Sequence, residues 1–181
     1  IQNYRNILRR FVRDNGSDTD VERAADELSR CRRKVINADS VERVRGIEGD
    51  AATYYFGVFP HLILNQKESF VFKGRNRRPP KDAVNAMLSF VYTLISNDVT
   101  AALETVGLDP YVGFMHALRP GRPSLALDIM EELRAYLGDR LVLSLINRKQ
   151  ITGNQFLQQG DESIIMTDDA RRTIISAWQA R

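Results

Sequence analysis

Apolar residues recur along this chain at intervals of three and four while strict alternation is almost absent, so the pattern predicts helices nearly from end to end. Tyr4, Ile7, Leu8 and Phe11 fall on one side of a helix expected from about Asn3 to Arg13. The stretch DNGSDTD then reads as a turn in which Asp18, Thr19 or Asp20 can cap a basic amphipathic helix reaching about Lys34. Asp39, followed three residues later by Glu42, fits a capping box. It opens a helix carrying Val44, Ile47, Ala51, Tyr54 and Val58, which Pro60 closes.

The least helical stretch is FPHLILNQKESFVFKGRNRRPP, whose charge run and Pro79-Pro80 pair predict a long exposed basic loop. Asp82 can cap the next helix, an apolar stripe from Val84 through Leu88, Val91 and Ile95 to Val106 that Gly107 can terminate. Asp109-Pro110 predicts a short helix that Pro120 and Pro123 confine, ending near Ala117 with His116 in its last turn. Ser124 is expected to cap a helix through Leu127, Met130, Leu133 and Leu137, and Leu141 to Ile146 to continue as a buried segment after Gly138-Asp139. Two short strands around Gly160-Asp161 and a terminal helix from Thr167 or Asp168 complete the reading. The expected fold class is all-α, a bundle-like domain with one long basic loop and a short hairpin near the C-terminus.

With 181 residues, 43% apolar and 27% charged, the chain has the length and make-up of one folded domain rather than a disordered tail or a disulfide mini-protein. No stretch approaches the roughly 18 uncharged apolar residues of a bilayer span, so no membrane partner is expected. Cys31 has no second cysteine to pair with, which points to a reducing, cytoplasmic setting. The chain opens on Ile1 rather than Met, so it is expected to be part of a longer protein.

The formal net charge is only +3, but it is unevenly placed. Between Lys67 and Lys81 six Lys or Arg residues face a single Glu, a distribution that suits a polyanionic partner and equally a solvated surface.

Histidine occurs twice, so chemistry that needs imidazole must use His61 or His116. His61, beside Pro60 in an apolar stretch, reads as structural. His116 precedes a helix that holds Asp128 and Glu131 three residues apart, on one face. On an exposed helix that pair costs only about 0.2–0.5 kcal/mol; on a half-buried face it needs a cation or takes up protons. Glu48 stands between Gly46 and Gly49, a spacing that suits either close helix packing or a ligand's approach.

Three segments, GIEGDAATYYF, RNRRPPKDAVNAMLSFVYTL and GLDPYVGFMHALRPGRPSLALDIMEELR, in this order and spacing, resemble the C-terminal domain of the CRISPR-associated spacer-acquisition endonuclease, the integrase subunit shared by most CRISPR systems. The resemblance runs from about Ser40 to Arg181. It implies a helical catalytic domain in which Glu48, His116 and Glu131 hold a Mn2+ or Mg2+ ion, with Asp128 supporting the site or sharing the ion. It further implies double-stranded DNA substrates, the prespacer and the CRISPR repeat, and a small ferredoxin-like acquisition subunit as partner. The family's β-strand domain, which normally precedes this one and builds much of its homodimer, is absent from residues 1–181.

Two carboxylates and an imidazole with positions left open suit a divalent ion in phosphodiester chemistry, and the imidazole favours Mn over Mg. Arg75, Arg77 and Arg78 in the loop, and Arg119 and Arg122 between His116 and Asp128, are the expected phosphate contacts. Asn85, Ser89 and Tyr92 on the following helix read either as groove lining or as a polar stripe on a packed helix. Tyr54 and Tyr55 lack the surrounding arginines and histidines that a phosphotyrosine mechanism wants. The rival class is a non-catalytic helical DNA-binding or scaffolding module whose acids are structural.

Overall fold

The computed structural model describes residues 1–76, 78–160 and 163–181, and among these the regular structure is helical except for one hairpin. In chain order the helices are α1 (Gln2–Asn15), α2 (Thr19–Ile36), α3 (Val41–Gly57), α4 (Ala83–Thr105), α5 (Ser124–Leu133), α6 (Arg140–Asn147) and α7 (Asp168–Gln179). Short 3-10 turns occupy Phe59–Leu62 and Gly153–Gln155. Strands β1 (Phe156–Gln159) and β2 (Ser163–Met166) pair antiparallel, Leu157 opposite Ile165.

Local chemistry sets most of the boundaries. Asp18 accepts from the N–H groups of Asp20 and Val21 and caps α2, and Asp82 accepts from Asn85 N–H at 2.7 Å and caps α4. Gly107, at φ 79°, ends α4 in the left-handed region that side chains disfavour. Helix α3 departs from expectation by one residue: Ser40, not Asp39, is the cap, and Asp39 lies 3.5 Å from Arg43 instead. Its buried face is Ile47, Ala51 and Tyr55, which leaves Tyr54 40% exposed rather than in the core.

Two helical layers form the molecule. Helix α1 packs on α2 and α2 on α3, while α4 lies against α5, α6 and β2. Tyr4 of α1, Tyr55 and Phe56 of α3, and Phe59 and Phe72 beyond it form an aromatic cluster, with the Tyr4 and Tyr55 rings stacked at 4.2 Å. Helix α4 is the spine: Val84, Met87, Leu88, Val91 and Ile95 are fully buried, each contributing about 1.5–3 kcal/mol relative to exposure. By length and hydropathy alone α4 would pass for a membrane span, contrary to the sequence reading; its core position accounts for that composition.

Two regions differ from the expected pattern. Residues 106–123 form no helix, because the N–H groups of residues 114–116 turn to the Asp128 carboxylate instead of carbonyls one turn back. His116 therefore sits on a loop. Ser124 is the first residue of α5 rather than its cap, and the Pro110 carbonyl accepts from Leu125 and Ala126 N–H in that role.

Gly138-Asp139 also makes no break. A π-helical turn, Arg134–Asp139, joins α5 to α6, and Gly138 lets α4 pass, since a Cβ there would meet the Tyr92 ring at 3.1 Å and Ile95 at 3.2 Å. Gly160, at φ 61°, lies at the hairpin turn; its expected companion Asp161 is outside the described residues.

Candidate functional site

Glu48 comes from α3, Asp128 and Glu131 from α5, and all three line one cavity of about 590 Å³. Tyr4 of α1, Arg32, Val35 and Ile36 of α2, and Met115 complete much of its wall. The chamber thus has acids on one side and an apolar flank on the other.

Asp128 is the organising group. Its Oδ2 accepts from the N–H groups of Phe114 at 2.6 Å and Met115 at 2.9 Å, and its Oδ1 accepts from His116 N–H at 2.9 Å. The same Oδ1 lies 2.7 Å from His116 Nδ1. Partial burial pushes this carboxyl up, but the hydrogen bonds from Met115, His116 and Phe114 outweigh that and hold it below the usual carboxylate range. A carboxylate only accepts, so His116 donates through Nδ1, which leaves Nε2 as the ring nitrogen open to a ligand.

Gly113 makes this wrapping possible. A Cβ there would fall 2.6 Å from the Ser124 carbonyl carbon, 2.7 Å from Asp128 Oδ2 and 2.8 Å from Leu125 N, all distances no side chain tolerates. From the other side Arg45, one turn before Glu48, donates through Nε to the Met115 carbonyl and ties α3 to the histidine loop.

Glu131 is turned toward Arg134, with Oε1 2.6 Å from a guanidinium nitrogen. Arg134 is buried and lies over the Tyr92 ring at 4.8 Å. Behind it, Tyr92 donates its hydroxyl to Asp139 Oδ1 at 2.5 Å. Asp139 is fully buried, and this desolvation pushes its carboxyl up to about 6 even though the Tyr92 and Tyr55 hydroxyls and the Arg134 and Arg75 charges pull it down. Tyr55 faces the same carboxyl without completing a hydrogen bond of good geometry, and Asp139 Oδ2 has no partner among the described residues.

The site residues expected from sequence are therefore drawn together in part. Glu48, Asp128 and Glu131 share a cavity, and His116 is clamped to Asp128. The donors match those of a divalent-metal site, but they are not gathered around a point: among the described residues no three of His, Cys, Asp and Glu stand ready to hold an ion.

The arginines divide. Arg75 donates to Asn85 Oδ1 at 2.7 Å and Ser89 Oγ at 3.2 Å and lies over Tyr92 at 5.2 Å, so its guanidinium secures the loop to α4. Asn85, fully buried, binds the Gly74 carbonyl and Asn76 N–H as well; the polar stripe on α4 is this anchor. Arg78 is exposed, and Arg77 lies outside the described residues. Arg119 is exposed and Arg122 half-buried on the loop that carries His116. His61 Nδ1 lies 2.8 Å from Asp18, far from this chemistry in role: it pins the turn that opens α2.

Gly113, Arg45, Arg134 and Asp139 were not singled out from sequence. Arg134 had a signal, the i, i+3 spacing from Glu131; Asp139, a lone acid in an apolar run, had another. Nothing in the sequence marks the target of Arg45.

Comparison with known proteins gives a consistent outcome. The family described as "CRISPR associated protein Cas1" matches residues 1–180. The chain is 50% identical to CRISPR-associated endonuclease Cas1 2 of Rhodospirillum rubrum and 52% identical to CRISPR-associated endonuclease Cas1 1 of Chlorobaculum tepidum, covering all of this chain and 55% and 54% of those proteins. It spans about half the length of these relatives. Among solved structures, a partial Cas6-RT-Cas1–Cas2 complex superposes with a TM-score of 0.87 at 28% identity, over 99% of this chain and 54% of the other.

Proposed function

Because this chain belongs to the Cas1 family of CRISPR-associated proteins, we propose that it is the catalytic part of a DNA endonuclease and integrase of spacer acquisition, which cuts and rejoins phosphodiester bonds at the repeat boundary. The observation that carries the reading is the Asp128 clamp: a carboxylate saturated by three backbone N–H groups and one imidazole nitrogen aims His116, beside a cavity that Glu48 and Glu131 line.

Glu48, His116 and Glu131 would hold a Mn2+ or Mg2+ ion there, and such an ion, when bound, polarises a phosphoryl oxygen and makes an oxygen nucleophile more reactive. The chain's own residues do the rest. His116 presents Nε2, Asp128 acts as its positioning residue, and Arg134 offsets the Glu131 charge. Arg119 and Arg122 draw phosphates toward the loop. The small ferredoxin-like subunit and a second copy of the longer protein are the proposed protein partners, in a cytoplasmic setting.

The ion pair of Glu131 with Arg134 and the ungathered donors favour a second reading, a scaffold that binds DNA without cutting it. Nicking of supercoiled plasmid in Mn2+ separates the two. Glu48→Ala and His116→Ala are expected to lower the rate by about 100-fold or more while DNA binding persists. A purified His116→Ala protein that still nicks at the parental rate excludes the catalytic reading.

A further inference from the structure

Phe114 is 80% exposed, the most exposed of the chain's large aromatic side chains. Its backbone is fixed, because its own N–H is bonded to Asp128 Oδ2 at 2.6 Å and the preceding Gly113 packs tightly against Ser124 and Leu125. The exposed ring thus springs from a fixed point of the main chain two residues before the aimed imidazole. Val112, 56% exposed, and Leu118, 64% exposed, flank it. An apolar surface of this kind on a rigid backbone marks a binding site rather than a packing remnant.

The choice of occupant follows from charge. The same loop supplies Arg119 and Arg122, whose side chains have no ion pair or hydrogen bond among the described residues, and between Asp109 and Asp128 no acid opposes them. An aromatic ring interleaved with unpaired guanidinium groups suits a ligand that is a flat ring on an anionic chain. A hydrophobic protein surface leaves both arginines without counter-charge.

We propose that Phe114 stacks on an unpaired nucleobase next to the reacting phosphate, with Arg119 and Arg122 on the adjoining phosphates. The ring acts as a positioning residue: it fixes where the strand stops relative to His116. This extension rests on the nucleic-acid reading above, and it places base recognition on the face of the histidine loop rather than on the basic loop that precedes α4.

Trp178 is the only tryptophan, so Trp178→Phe gives a dark background in which Phe114→Trp reports on the ring's surroundings. Titration uses a mixed-sequence single-stranded oligonucleotide and the matching duplex. Saturable quenching by the single strand, stronger than by the duplex, is expected. In the parental chain Phe114→Leu is expected to weaken single-strand binding about tenfold, and Phe114→Tyr to stay within about twofold. Unquenched indole fluorescence from the Phe114→Trp variant and parental affinity for Phe114→Leu, in a protein that binds and nicks DNA, overturn the stacking and leave the nuclease reading standing. Self-association of the parental chain that Phe114→Leu abolishes, with DNA affinity unchanged, assigns the face to a second copy and overturns it too. A parental chain with no affinity for either oligonucleotide removes both readings together.

Discussion

Asp128 accepts from three consecutive peptide N–H groups and an imidazole, and no neutral residue replaces that set of contacts. Asp128→Ala leaves those donors without an acceptor, a loss of about 2–4 kcal/mol in unfolding free energy, measurable by urea denaturation. Because the imidazole loses its orientation as well, activity should fall about 10- to 100-fold. Gly113→Ala tests the same clamp from the opposite side: its Cβ collides with the α5 backbone and with Asp128, so it should cost about 1–3 kcal/mol and reduce nicking without removing any ligand. A Gly113→Ala protein with parental stability and rate contradicts the geometry. That Glu48, Asp128 and Glu131 share one cavity and His116 adjoins them accords with the rare residue types and motif spacing. What Asp128 does was not, since helical spacing says which face an acid shares but not which backbone atoms come to meet it.

At the level of elements, caps and apolar stripes made α1 through α4 readable to within a residue or two, and the hairpin and α7 likewise. The failures have one cause. Around residues 110–117 a helical pattern lost to a tertiary acceptor, and around Gly138-Asp139 an expected break became a π turn because α4 needed the space. That turn buries Asp139, whose carboxyl titrates near 6 in the fold against an ordinary 3.8. Neutral below both values, it adds stability that is fully present at low pH and is lost as pH rises through about 6. Asp139→Asn should therefore gain on the parental protein by about 2–3 kcal/mol between pH 4 and pH 8, whatever constant offset the amide introduces. Denaturation curves at both ends of that window check the sign; a pH-independent difference means the carboxyl is not held neutral.

Across the whole molecule the sequence offers two sets of candidate phosphate contacts, the basic loop and the arginines between His116 and Asp128, and the fold separates them by task. Arg75 anchors the loop to α4, whereas Arg119, exposed, and Arg122, half-buried, lie on the histidine loop. Composition counts charges without saying which are already engaged. In salt titrations of duplex binding, Arg119→Ala with Arg122→Ala should reduce the slope of log affinity against log salt by about 1.8. Arg75→Ala should change that slope little and lower unfolding stability instead. Equal slopes for both variants refute the division.

The Asp128 clamp closes residues 114 to 128 into a ring without any covalent link. On the proposed reading the imidazole would already be aimed before an ion binds, so little freedom would remain to be lost on its side. Glu131, paired with Arg134, would have to turn from it to serve as the proposed ligand, which puts the adjustment on the acid arm rather than on the histidine.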